Sequence, residues 1–305
     1  MQFLADAGMA PINWRKSMQS QRSFQKTNQG SLFLVPTPIG NLQDMTYRAV
    51  QVLKDVDLIA AEDTRNTQKL LNHFEIETKQ ISFHEHNTVQ RIPQLIEKLE
   101  DGISIAQVSD AGMPSISDPG KELVAKCVEK GITVVPLPGA NAGLTGLIAS
   151  GIVPQPFYFH GFLDRKNNLQ LEELQKLTVH KETLIFYEAP HRLKKTLENM
   201  VSVFGGEHQA VLARELTKKY EEFLRGTLDE LNDWAHNDQV RGEFVIIVAG
   251  FEQTNPQTDS TKDLPVNEQI DRLIEDGMTV NGAIKQVAKQ QGLNRQEVYR
   301  QYHEI

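Results

Sequence analysis

Between Ser31 and Leu137 five short apolar runs recur: SLFLV (31–35), DLIAA (57–61), KQISF (79–83), ISIAQV (103–108) and ITVVPL (132–137). Segments of helical spacing lie between them, MTYRAVQVLK (45–54) and KELVAKCVEKG (121–131) among them. Strands alternating with helices leave a chain few solutions, and the pattern predicts an α/β fold on a mainly parallel sheet. Ligands on such sheets sit beyond the carboxyl ends of the strands. Two turn-rich segments fall there, PTPIGN after the first run and SDAGMPSISDPG after the fourth.

Near SGIVPQPF (150–157) the style of the chain changes. FYFHGF, ETLIFYEA, AVLAREL and EFVIIVAG read as strands, and helices fit 190–204 and 227–236. The pattern predicts a second α/β domain with antiparallel members. FEQTNPQTDSTKD (251–263) is polar and contains proline, a linker signal. The expected organisation is a leader over 1–30, domains over 31–150 and 151–251, a linker over 252–263 and a helical domain over 264–305. In that last segment Ala288, Gly292 and Val298 have helix-turn-helix spacing, and Asn294 with Glu297 fits a capping box. Lys285, Lys289, Arg295 and Arg300 against Glu297 make the segment basic. Either contact with nucleic acid or packing on a neighbour would explain it.

The formal net charge of −8 argues against non-specific coating of nucleic acid but leaves room for a local basic face. One cysteine, Cys127, excludes a disulfide framework and points to the cytoplasm; its helical apolar neighbours make it a core thiol. No apolar run is long enough to cross a membrane. The leader lacks a secretory apolar core and carries Arg15, Lys16, Arg22 and Lys26 against Asp6.

The loops carry the chemistry. A phosphate cradle combines backbone N–H groups with, usually, a lysine. PTPIGN and SDAGMPSISDPG contain no lysine or arginine, and the second has two aspartates. Such a site suits hydroxyls, an ammonium or a sulfonium better than a triphosphate. Asp110 reads as the ligand contact, and Asp118 before Pro119 as the N-cap of the next helix. PLPGANAGLTGLIASG (136–151) is a third strand-to-helix element, whose small residues permit close approach to another element or a ligand. AAEDTRNT (60–67) and FHEHN (83–87) add Glu62, Asp63, Arg65, His84 and His86; two histidines without a third ligand are a weak metal signal. In the second half, YEAPHRL (187–193) and ARELTKKYEE (213–222) hold Glu188, His191, Arg192, Arg214, Glu215, Lys218 and Lys219.

TPIGNLQDMTYRA, AEDTR, SDAGMPSISDPG, PGANAGLTGLIASG, YEAPHRL and RELTKKYEEFLRG, in this order, resemble the tetrapyrrole-methylase-like superfamily. Within it they are most similar to the bacterial ribosomal RNA 2′-O-methyltransferases that modify a decoding-region cytidine of 16S ribosomal RNA. The resemblance runs from about residue 31 to the C-terminus. It implies the two-domain class III methyltransferase fold with a small C-terminal helical domain, and S-adenosyl-L-methionine in the cleft between the α/β domains. It also implies the small ribosomal subunit as partner, and a homodimer.

Carried over by motif, the cofactor contacts are Pro38, Ile39 and Gly40; Asp110, Ala111, Gly112, Met113, Pro114, Ser115, Ile116 and Ser117; Pro138, Gly139 and Ala140, with the loop running on to Ala142; and Leu163, Tyr187, Glu188, Ala189 and Ala213. A ribose hydroxyl needs a proton acceptor or an alkoxide-stabilising group. Glu62, Asp63, His84 and Glu188 are the candidate bases; Arg65, Arg192, Arg214, Lys218 and Lys219 are the candidates for alkoxide or phosphate contact. The alternatives are a corrin-precursor C-methyltransferase on the same fold and a non-catalytic RNA-binding protein. The missing P-loop lysine disfavours a nucleoside triphosphate enzyme.

Overall fold

The computed structural model describes residues 18–25, 28–251, 265–275 and 278–303. The basic leader residues Arg15, Lys16 and Lys26 and the linker read over 252–263 lie outside the described residues. The chain divides into two compact units, Met1–Gly250 and Phe251–Ile305.

The first unit holds two five-stranded sheets. The first contains β1 (Leu32–Leu34), β2 (Leu58–Ala61), β3 (Gln80–Ser82), β4 (Ile105–Val108) and β5 (Val134–Pro136), in the order β3-β2-β4-β1-β5. All its pairings are parallel. Its faces are covered by α1 (Tyr47–Asp55), α2 (Thr64–His73), α3 (Thr88–Glu100) and α4 (Lys121–Lys130). Strands covered on both faces must be apolar on both, and β4 is buried throughout. Leu53, Ile59, Leu71 and Val108 form one core layer, and Leu32, Leu95, Leu99, Leu123 and Cys127 the other. Burial pushes the Cys127 thiol up to about 12, in keeping with a core thiol.

The second sheet contains β6 (Phe157–Phe162), β7 (Thr183–Glu188), β8 (Gln209–Arg214), β9 (Glu222–Thr227) and β10 (Phe244–Val248), in the order β6-β7-β10-β8-β9. Only β6 and β7 pair in parallel; the other three pairings are antiparallel. The strand β9 lies in EEFLRGT, a charged stretch that the strand pattern FYFHGF, ETLIFYEA, AVLAREL and EFVIIVAG does not include. A helix, α5 (Ala142–Ser150), precedes this sheet in the chain yet packs on it, through Leu147 against Ile185, Val245 and Ile247. Gly146 permits that approach: a Cβ there would meet Ile247 Cδ1 at 3.3 Å and Ala213 Cβ at 3.5 Å. The opposite face carries α6 (Asn167–Leu177), α7 (Pro190–Phe204) and α8 (Leu228–Asn237).

The second unit has three helices among the described residues, α9 (Val266–Glu275), α10 (Val280–Gln291) and α11 (Arg295–His303). Ile270, Ala283, Ile284, Val287, Ala288 and Val298 form its core. Gly292 ends α10 in the left-handed conformation, φ 66°, and Asn294 Oδ1 accepts the Gln296 amide at 2.9 Å. This is the helix–turn–helix that the Ala288, Gly292, Val298 spacing predicts. Among the described residues no helix is long and apolar enough to cross a membrane.

Candidate functional site

Parallel pairing places the ends of β1, β2 and β4 at one edge of the first sheet, so the loops that follow them converge there. Thr37 and Gly112 exchange both backbone hydrogen bonds at 3.0 Å, stitching the two ligand-type loops together. The Thr37 hydroxyl donates to the Ser109 carbonyl at 3.0 Å. Gly112 has φ 78°, and a side chain there would press on Ile39 and the Ala140 carbonyl. Gly40 is needed for another reason: a Cβ would lie 2.5 Å from Lys218 Cγ and 2.8 Å from Thr217 Oγ1. That contact joins the loop after β1 to the loop after β8, as does the Asn41 amide, which donates to Thr217 Oγ1 at 3.0 Å.

A cavity of about 490 Å³ opens between the two sheets. From the first-sheet loops it is lined by Ile39, Ala111, Ser117, Asp118 and Ala142. The second sheet contributes Phe162, Tyr187, Glu188, Ala189, Pro190, His191, Ala213, Leu216, Glu243, Phe244 and Val245. Its walls are apolar and aromatic, and it has no lysine or arginine. Of the predicted cofactor residues, Ile39, Ala111, Ser117, Tyr187, Glu188, Ala189 and Ala213 meet in it. Ala142 joins them from the end of the third loop, and Asp118, Phe162, Pro190, His191, Leu216, Glu243, Phe244 and Val245 are additions. Phe244 and Val245 sit on a strand that sequence order separates from the motifs; only the placement of β10 between β7 and β8 brings them in.

The two aspartates of SDAGMPSISDPG line separate cavities, and neither caps α4. Asp118 is not the cap of α4: the helix starts at Lys121 with Gly120 at the N-cap position, because Gly120 takes φ 136° and turns the chain first. Asp118 faces the cavity instead. Burial pushes its carboxyl up, the Ser109 hydroxyl partly offsets this, and Asp110 adds repulsion. Asp110 is outside this cavity. It lines a neighbouring one of about 430 Å³ with Thr37, Pro38, Gly40, Asn66, Lys69 and Lys218. Its Oδ1 accepts the Asp63 amide at 3.2 Å and its Oδ2 accepts Asn66 Nδ2 at 3.1 Å.

Met113, Pro114, Ser115 and Ile116 turn to the far side of the loop, around a third, apolar cavity of about 400 Å³. Pro138, Gly139 and Ala140 line none of these cavities; Gly139 lies against Pro36, where a Cβ would stand 2.4 Å from the proline Cβ. Leu163 is buried and contributes its carbonyl to Arg192.

Most of the candidate catalytic residues are already engaged. The Glu188 side chain is 1% exposed, accepts the Ala189 amide at 2.8 Å and the Thr196 hydroxyl, and meets Arg192 Nε at 3.3 Å. Arg192 also donates to the carbonyls of Leu163 and Asp164. The pair clamps β6 to the start of α7 rather than presenting a free carboxylate or guanidinium. Asp63 is the N-cap of α2; Arg65 donates to both its oxygens and holds its carboxyl well below the usual range, which makes it a weak base. Glu62 accepts the Asp110 amide at 3.2 Å. Burial, followed by repulsion from Asp118, pushes its carboxyl up. His84 stands at the start of a 3-10 turn (Glu85–Asn87) and lines none of the three cavities. Arg214 bonds Glu222 and the Arg241 carbonyl. Lys218 is held between Glu215 and Glu243, both at 2.9 Å. Lys219 is exposed beside the Tyr220 ring.

Residues 31–232 match the family described as Tetrapyrrole (Corrin/Porphyrin) Methylases. A Bacillus subtilis (strain 168) protein named Ribosomal RNA small subunit methyltransferase I is 52% identical over 289 residues, covering 94% of this chain and 99% of its own. One of the same name from Synechocystis is 47% identical over 270 residues, covering 88% of this chain and 96% of its own. Among solved structures, uroporphyrin-III C-methyltransferase from Thermus thermophilus, complexed with S-adenosylhomocysteine, superposes with TM-score 0.53 at 15% identity, covering 72% of this chain and 97% of that one. That likeness carries the fold alone. With the matched family spanning the first sheet and all of the second but β10, and relatives about half identical along nearly their whole length, the chain belongs to the tetrapyrrole methylases.

Proposed function

We propose that this chain is an S-adenosylmethionine-dependent methyltransferase of small-subunit ribosomal RNA, and that its product is a 2′-O-methylated cytidine in the decoding region. The observation that carries the cofactor reading is the charge of the inter-sheet cavity. Its charged lining is Asp118, Glu188 and Glu243, with no lysine or arginine, so a phosphorylated ligand would be repelled and a sulfonium or ammonium attracted. Glu188 is paired with Arg192 and Glu243 with Lys218, whereas Asp118 has no cationic partner among the described residues and is disfavoured as an anion by burial and by Asp110, so a cation beside it relieves both costs. The volume of about 490 Å³ suits a ligand of this size.

Among the cavity residues, Asp118 would meet the cationic end of the cofactor and Phe162, Tyr187 and Phe244 would hold its base, with the Glu188–Arg192 clamp fixing the segment that carries Tyr187. When bound, the cofactor supplies a methyl group on a positively charged sulfur. The protein contributes orientation, exclusion of water and removal of the acceptor's proton. The names of the relatives support a ribosomal RNA acceptor. The 2′-hydroxyl of a cytidine rests on the motif resemblance.

The test is to incubate the purified chain with tritium-methyl S-adenosylmethionine and small ribosomal subunits lacking the modification, then to map the label by mass spectrometry of ribonuclease fragments. Label in one cytidine, at a linkage that resists alkaline cleavage, is expected. Label on a base would overturn the ribose assignment, and failure to bind the cofactor would sink the whole reading.

A further inference from the structure

The neighbouring cavity of about 430 Å³ shares Ile39, Ala111 and Glu243 with the inter-sheet cavity, so the two meet across those residues. Its polar groups differ in kind. Asp110 is held in position by the Asp63 amide and by Asn66, and each of its oxygens keeps further capacity to accept a hydrogen bond. Lys218 is neutralised by Glu215 and Glu243. Lys69 is exposed on α2, one turn beyond Asn66 on the same helix face, and none of the ion pairs among the described residues includes it. One cavity thus offers a fixed anionic acceptor and an unneutralised cation. A ligand that presents both a hydroxyl donor and an anionic group matches that pair, and a ribose joined to its phosphate is such a ligand.

We propose that this second cavity is the acceptor subsite, where Asp110 receives the ribose hydroxyl and Lys69 holds a flanking phosphate of the same RNA strand. The inference rests on the methyltransferase reading above and assigns residues that reading leaves open. In the transfer the hydroxyl oxygen bonds to the methyl carbon, the bond from that carbon to sulfur breaks with its electron pair left on sulfur, and the hydroxyl proton passes to an Asp110 oxygen. Asp110 is better suited than the other acids: Asp63 is bound on both oxygens by Arg65, and Glu188 is enclosed. Glu62 lies behind Asp110, bonded to its amide.

The test uses the full chain and its Lys69→Glu, Lys69→Arg and Asp110→Asn variants. Calorimetry with S-adenosylhomocysteine measures the first cavity; filter binding of unmodified small subunits, with KM and kcat, measures the second. All three variants are expected to bind S-adenosylhomocysteine as wild type does. Lys69→Glu should weaken subunit binding and raise KM about tenfold, and Lys69→Arg should restore both. Asp110→Asn should leave subunit binding near wild type and lower kcat about a hundredfold. Unchanged subunit affinity in Lys69→Glu, unchanged kcat in Asp110→Asn, or loss of S-adenosylhomocysteine affinity in any variant would overturn the proposal. A wild-type chain that binds the cofactor product but transfers no methyl to the subunits would instead overturn the methyltransferase reading, so the two failures are told apart.

Discussion

The phenol oxygen of Tyr187, on β7 of the second sheet, accepts the Gly143 amide at the start of α5 at 3.0 Å. A helix start leaves amides without partners, and here a side chain from another element supplies one. The bond fixes α5 to the sheet on which it packs and holds the Tyr187 ring in the wall of the inter-sheet cavity. Tyr187→Phe keeps the ring and removes the acceptor. It should cost about 1 kcal/mol in urea unfolding, with a smaller loss in S-adenosylmethionine affinity. Unchanged stability would mean that the amide finds water instead.

Glu188 and Arg192 should behave as a buried pair. Removing one partner leaves the other charge enclosed, so Glu188→Ala should cost about 3 kcal/mol in chemical denaturation. Glu188→Gln, which keeps the shape and part of the bonding, should cost less. If Glu188→Ala folds as stably as wild type but transfers no methyl, Glu188 is the base after all and the clamp assignment fails.

Asp118 should link cofactor binding to pH. Burial, with repulsion from Asp110, pushes its carboxyl up in the free protein, so it takes up its proton at a higher pH than an ordinary aspartate does. A bound cation favours the carboxylate, and binding should therefore release protons, with affinity falling as pH drops through the raised range. Calorimetry in buffers of different ionisation enthalpy measures the release. Asp118→Asn should abolish it and weaken binding about tenfold, the factor that corresponds to 1.4 kcal/mol. Proton release unaltered in the variant would move the linkage to another group.

Glu62 gives a stability prediction with a definite sign. Its folded-state carboxyl is raised above the ordinary value of 4.5 by burial and by Asp118. The stability it contributes is present below that value and is lost as pH rises through the raised one. Glu62→Gln removes the loss and can still accept the Asp110 amide. Its melting temperature relative to wild type should therefore climb between pH 4.5 and neutrality. A constant difference across that range would show that Glu62 does not titrate there.

Much of the architecture is legible in the sequence because local patterning settles it. The five runs between Ser31 and Leu137 become the five parallel strands, and the helix read over 190–204 is found at Pro190–Phe204. The turn at Gly292 follows from spacing alone, since a left-handed residue must stand between two close-packed helices. Elements whose pattern is mixed are less legible. The strand β9 hides in EEFLRGT because it is an edge strand with charged, half-buried residues.

The sequence by itself determined which loops follow which strands, and hence that PTPIGN and SDAGMPSISDPG would lie at the ligand end of a parallel sheet. It also determined that neither loop could offer a lysine to a phosphate. Tertiary structure alone decided how the charges in those loops are used. Asp110 and Asp118 are chemically identical, but the left-handed turn at Gly120 points Asp118 into the inter-sheet cavity, while Asn66 and the Asp63 amide draw Asp110 into its neighbour. Partner choice across a fold depends on distances of a few ångströms between residues dozens of positions apart, and side-chain type along the chain carries no record of them.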